Sequence, residues 1–143
     1  MPKTKILIVD DESHVRDICA LMLRHFGFDS IVAANGADGL QIYNERHEEI
    51  CLVLSDVSMP QMGGIEMVRV LFDTHLHPNV IMMSGCNLSD LIPAEVKRLC
   101  SVIEKPFNAE QLIAAVKKCL NYEARHHPSP SNEEAAKIGS AQE

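Results

Sequence analysis

The chain has 143 residues, 46% of them apolar and 23% charged, with a net charge of −7 and no tryptophan. That length suits one domain with a mostly aliphatic core. The acidic balance without a basic stripe argues against direct nucleic-acid binding, and no apolar run approaches the roughly 18 residues of a membrane span. The opening MPKTKILIVDD enters a strand pattern at once, too short in apolar residues for a signal peptide, so a cytoplasmic chain is expected.

Taken in order, apolar stretches of two kinds alternate. Residues 5–10 read as a strand buried on both faces, since the apolar run from Ile6 to Val9 is continuous. From Ser13 the period lengthens: Val15, Ile18, Cys19, Met22 and Phe26 predict a helix with those side chains inward, closed by Gly27. Residues 28–33 are a second strand, Asn35-Gly36 a turn, and 37–48 a weaker helix with Leu40 and Tyr43 inward. The third strand is 50–55, followed by a helix marked by Ile65, Val68, Leu71 and Phe72. Residues 80–84 are the fourth strand, 85–92 look irregular, and Pro93 suits the first turn of a short helix reaching Cys100. The fifth strand is 101–104. Asn108 with Gln111 reads as a capping box that opens a last helix with Leu112, Ile113, Val116, Cys119 and Leu120 inward. From about Ala124 proline, serine and charge dominate, so the expected division is a domain over 1–122 and a polar, disordered tail or linker over 123–143. Five such β-α units predict a parallel sheet covered by helices on both faces, with right-handed crossovers.

The five cysteines are odd in number and lack a C-x-x-C spacing, so neither a disulfide framework nor a zinc site is expected. Four lie within apolar patterns as small core residues. His75, His77, His126 and His127 lack a placed third ligand, so they are not expected to bind a metal, and the two tail histidines, His126 and His127, read as solvated.

The chemistry gathers at strand ends. Asp10-Asp11 follow the first strand, Asp56 ends the third, Ser84 ends the fourth and Lys105 follows the fifth. In an open parallel sheet, ligands bind at the carboxyl ends of the strands. Neighbouring carboxylates repel, and a divalent cation relieves that cost; hard oxygen ligands with room for water suit Mg²⁺. An aspartate that attacks phosphorus forms an acyl phosphate, and a lysine, a hydroxyl and backbone amides can neutralise the transferring group.

Asp10-Asp11, LSDVSMPQMGG around Asp56, Ser84 in MMSG and Lys105 in EKPF fall in one order over residues 4–122, and in that order the chain resembles the receiver domain of bacterial two-component response regulators, of the single-domain chemotaxis-regulator type. The resemblance implies a flavodoxin-like, doubly wound α/β fold with a five-stranded parallel sheet of order 2-1-3-4-5 and five helices. It implies that Asp56 accepts a phosphoryl group from a histidine of a sensor kinase or phosphotransfer protein. Asp11, Asp56 and the backbone carbonyl of Ser58 would ligate Mg²⁺, or Mn²⁺ in its place, with Asp10 acting through water. Lys105 and Ser84 would hold the phosphoryl group, and the Lys105-Pro106 bond is often cis in such domains. The output would be a protein-protein signal through the face of the fourth helix, fifth strand and fifth helix to a downstream protein, with no direct nucleic-acid or membrane partner. Such a module catalyses only its own phosphorylation and dephosphorylation.

The sequence departs from that pattern. Gly63 stands where a side chain often caps the third helix, and Val102 stands where an aromatic ring usually reports activation. Ser84 and Val102 are therefore the expected switch residues, with the backbone of 84–92 carrying more of the change. Ser58 and Cys86 flank the acceptor, where side chains influence the access of water. A pseudo-receiver that keeps the fold without the chemistry is the alternative, and the intact Asp/Asp/Asp/Ser/Lys set weighs against it. A flavin-binding protein would need a Ser/Thr/Gly-rich phosphate loop where DDESHV stands, and an aspartyl-phosphate hydrolase would need a cap insertion. With no output domain after residue 122, the chain reads either as a single-domain regulator or as a piece of a longer one.

Overall fold

The five strands begin and end within a residue of the stretches that the sequence predicts, and the three central ones read as apolar runs because parallel strands there are buried on both faces. The computed structural model describes residues 3–57, 59, 61–75, 78–85 and 97–126. In chain order these form β1 (Lys5–Val9), α1 (Ser13–His25), β2 (Asp29–Ala33), α2 (Gly36–Arg46), β3 (Ile50–Asp56), α3 (Gly64–Thr74), β4 (Val80–Ser84), β5 (Ser101–Glu104) and a C-terminal helix (Ala109–His126). Of the predicted helix from Pro93 to Cys100, residues 93–96 lie outside the described residues, and Lys97 and Arg98 are helical.

All five strands are parallel, in the order β2-β1-β3-β4-β5. Alternation along β1 divides the core in two. Leu7 and Val9 pack with Tyr43, Val68 and Leu71 of α2 and α3. Ile6 and Ile8 pack with Cys19 and Leu23 of α1 and with Leu112, Ile113 and Val116 of the C-terminal helix. The chain thus winds to one side of β1 through β2 and to the other through β3, and the crevice at that reversal opens at the carboxyl ends of both strands.

Helix ends follow local chemistry. After α1, the Phe28 amide donates to the Leu23 carbonyl at 2.9 Å and the Gly27 amide to Arg24 at 3.0 Å. Gly27 adopts φ +92° to make that pair of bonds, which a β-carbon would resist. Asn35 caps α2 by accepting from the Asp38 amide at 2.8 Å. Asn108 and Gln111 form the reciprocal box: the Gln111 amide donates to Asn108 Oδ1 at 2.8 Å and the Asn108 amide to Gln111 Oε1 at 2.9 Å. Gly63 caps α3 with no side-chain bond.

Two expectations are corrected. The periodicity of α1 predicts Val15, Ile18, Cys19, Met22 and Phe26 inward, but Ile18 is 48% exposed and Phe26 43%. Cys19 and Leu23 are the buried pair, so the helix is rotated towards Leu23, whose carbonyl also closes the helix end. The cysteines do include a disulfide: Cys100, just ahead of β5, is bonded to Cys119 of the C-terminal helix, with Cα atoms 5.4 Å apart. Pairing across 19 residues of chain leaves no spacing motif for a sequence to show.

Candidate functional site

The carboxyl ends of β1, β3 and β5 bring three carboxylates and one lysine together. Asp10 is the residue after β1 and is fully buried; Asp56 is the last residue of β3 and is also buried; Asp11 is exposed. Asp10, Asp11 and Asp56 each offer a carboxylate oxygen, and these oxygens lie within 4.8 Å of one another. Lys105, one residue past β5, donates from Nζ to Asp10 Oδ2 at 2.9 Å and stands 3.3 Å from Asp56 Oδ1.

The electrostatics follow from that placement. Burial pushes the Asp56 carboxyl above the ordinary carboxylate range; Lys105 opposes the shift, and Asp10 and Asp11 add to it. Burial draws Lys105 down, but the hydrogen bond and charge of Asp10, with those of Asp56, outweigh it and leave the ammonium above its usual value. Lys105 therefore stays cationic, tethered to a buried acid. Cys19, beneath the site, is pushed up to about 11 by burial and then by Asp10, so it is an inert thiol.

The supporting groups escaped the sequence reading. Arg16 Nη1 on α1 donates to the Asp10 carbonyl at 2.7 Å, and the Glu12 amide donates to Asp10 Oδ1 at 2.9 Å. The buried Ser55 hydroxyl donates to the Asp56 carbonyl oxygen at 2.9 Å. Gly64 packs so closely that an added Cβ would overlap that same oxygen. The double glycine after Asp56 was the signal for this approach; nothing in the sequence marked Arg16 or Ser55. Gln61, in the β3-α3 loop, holds φ at +68°, in the left-handed region.

Ser84 ends β4 and is buried, and its carbonyl accepts the Lys105 amide at 2.8 Å, tying the fourth strand end to the lysine. Val102 lies on β5 opposite Met82, half-buried against the core. The Lys105-Pro106 peptide is cis. Ser58 and Cys86 lie outside the described residues. His75 faces away from this cluster, bonded through Nε2 to Asn44 Oδ1 at 2.8 Å and edge-on to Tyr43.

Hard oxygen donors at the ends of β1 and β3 fit a divalent cation such as Mg²⁺. No helix among the described residues is long and apolar enough to cross a membrane.

Comparison with known proteins agrees with this geometry. The family model described as the response regulator receiver domain matches residues 6–117. A transcriptional regulatory protein CpxR homolog from Haemophilus influenzae is 33% identical over 129 residues, covering 90% of this chain and 54% of that protein. A response regulator receiver domain protein from Clostridium thermocellum superposes with a TM-score of 0.78 at 28% identity, covering 84% of this chain and 96% of that one. The response regulator TrrA from Thermotoga maritima, solved in complex with Mg²⁺ and BeF, superposes at 0.73 with 26% identity, covering 81% of this chain and 98% of that one. The chain spans about half the length of the transcriptional regulators it matches.

Proposed function

The chain belongs to the response regulator receiver family, and on that premise we propose that it is a phosphorylation-driven signalling switch whose acceptor is Asp56. One observation carries the reading: the Lys105 ammonium lies against both Asp10 and Asp56, beside a third carboxylate, at the strand ends. A pseudo-receiver has no need of that arrangement.

In the proposed reaction an Asp56 carboxylate oxygen attacks the phosphorus of a phosphohistidine on a sensor kinase or phosphotransfer protein. The O–P bond forms as the P–N bond breaks, and the imidazole nitrogen leaves with the electron pair. Burial supports Asp56 in this role, because a poorly solvated carboxylate is the more basic nucleophile. The Ser55 hydroxyl and the close approach of Gly64 hold its backbone still. Lys105 would turn from the carboxylates to the phosphoryl oxygens, where its fixed charge meets the charge spread over the group. The Ser84 hydroxyl would donate to another phosphoryl oxygen. Asp11 and Asp56, with the Ser58 carbonyl, would hold Mg²⁺ or Mn²⁺ directly and Asp10 would hold it through water. The bound cation would supply charge neutralisation among three acids and the incoming phosphate.

The signal would leave through β5 and the C-terminal helix, with the predicted helix over 93–100. A groove there is lined by Val102, Pro106, Phe107, Gln111 and Lys118, next to Lys105 itself. A downstream protein, rather than nucleic acid or membrane, is the expected partner of that face. The module modifies itself and turns over no other substrate.

The test is incubation with acetyl phosphate and Mg²⁺ followed by intact mass measurement. The protein should gain one phosphoryl mass, and the gain should vanish in Asp56→Asn. Full labelling of that variant at another site would overturn the assignment, and no gain in the wild-type protein would favour the pseudo-receiver.

A further inference from the structure

We propose that Cys100 and Cys119 form a reversible thiol-disulfide site, oxidised by a low-molecular-weight disulfide of the glutathione class, that clamps β5 to the C-terminal helix. The pair is bonded, with Cα atoms 5.4 Å apart, inside the span that a disulfide requires. Cys100 is half-buried, whereas Cys119 is 2% exposed. A reagent from solvent therefore meets Cys100 first.

The surroundings accommodate both redox states. Asn79 Oδ1 lies 3.5 Å from Cys100 Sγ, so a reduced Cys100 has an acceptor for its S–H. The Asn79 side chain is itself held, donating from Nδ2 to the Cys51 carbonyl at 3.1 Å. Cys119 sits among Leu112, Val116 and the partly buried Leu120, where a free thiol packs as a small apolar group. Cys19 and Cys51 carry no disulfide, and the raised thiol of Cys19 makes it a poor competitor.

The step balances as two exchanges. The Cys100 thiolate attacks one sulfur of the small disulfide, forming a mixed disulfide and releasing one small thiol. The Cys119 thiolate then attacks the Cys100 sulfur, the protein disulfide forms, and the second small thiol leaves. The protein loses two electrons, the small disulfide gains them, and the two protein thiol protons end on the two small thiols.

The location gives the bond a consequence. Among the described residues β5 is the edge of the sheet and pairs with β4, and Lys105 follows its last residue. Cys100 anchors the other end of the strand, its amide donating to the Val80 carbonyl at 2.8 Å. Oxidation restrains the strand that carries the site lysine. The link from that restraint to signalling rests on the function proposed above; the redox chemistry does not.

The test equilibrates the full chain in a series of reduced-to-oxidised glutathione ratios, quenches with acid and denatures in N-ethylmaleimide. With five cysteines in the chain, intact mass should move from five labels in reducing buffer to three in oxidising buffer and back again. Peptide mapping should find Cys100 linked to Cys119. Five labels at every ratio, three at every ratio, or a linked peptide joining another pair would each overturn the proposal. Cys119→Ser should stop at a small-thiol adduct on Cys100, and an unmodified Cys100 in that variant would overturn the order of attack. Hydrogen exchange at residues 101–105 should be slower in oxidised than in reduced wild-type protein, and identical exchange would overturn the clamp. Acetyl phosphate labelling of the same samples reports separately on Asp56, since its failure leaves the label count unchanged.

Discussion

Asp56 is costly to the molecule that carries it. Its carboxyl is raised chiefly by burial, with Asp10 and Asp11 adding to the effect against Lys105. A carboxyl whose folded pKa lies above its unfolded value contributes stability below the unfolded value, near pH 4, and loses it as pH rises through the folded value. At neutral pH the ionised Asp56 is therefore a destabilising group in metal-free protein. Asp56→Asn should raise stability at pH 7 by about 1 kcal/mol, a few degrees in Tm, and the gain should shrink towards pH 4. Urea unfolding with EDTA at both pH values measures it, and a variant less stable than wild type at pH 7 would contradict the burial argument. Asp10, Asp56, Ser84 and Lys105 were visible in the sequence because each interrupts or ends an apolar run. Arg16 and Ser55 were not, because they act on backbone carbonyls, which carry no residue signature.

Among the elements, those bounded by backbone or capping chemistry were the most legible. The capping box at Asn108 and the glycine after α1 both appear where the sequence placed them. Gly27 has open space where a Cβ would go, so its cost to replacement is conformational and not steric. Gly27→Ala should destabilise by about 1 kcal/mol through the positive φ alone, measurable by thermal unfolding. A larger loss would mean that the helix end repacks. The face of α1 was less legible because Ile18, Leu21, Met22, Leu23 and Phe26 give it two apolar stripes, and periodicity cannot choose between them. Tertiary packing chose Cys19 and Leu23, and left Ile18, Leu21 and Phe26 exposed, with the Lys117 ammonium 5.9 Å over the Phe26 ring. The disulfide was illegible for a related reason: its cysteines lie 19 residues apart on either side of β5, and only packing of the C-terminal helix brings them together.

At the scale of the whole molecule, strand order decides which residues meet, and that order came from family resemblance and not from any local pattern. The small Val102 at the expected reporter position predicts that backbone, more than a ring rotation, transmits the change. Beryllofluoride with Mg²⁺ should alter hydrogen exchange over 84–107 beyond the ligand positions, and changes confined to α1 and α2 would show output through another face. The Lys105-Asp10 contact also spans 95 residues of chain, among the longest loops the fold closes. Asp10 and Asp56 are adjacent as soon as β1 pairs with β3, whereas their cation arrives only when β5 docks at the sheet edge. The acids are thus gathered before they are neutralised, and contacts of such high contact order form late. Lys105 should behave as a low-φ position: Lys105→Met should leave the refolding rate in EDTA nearly unchanged while speeding unfolding, for a loss of about 3 kcal/mol. Stopped-flow chevrons would read this directly, and a slowed refolding arm would place the lysine in the nucleus. A nascent chain that has exposed β1 to β4 but not β5 would then hold its acids together with no lysine between them, so the order of synthesis leaves the site as the last part of the domain to become electrostatically whole.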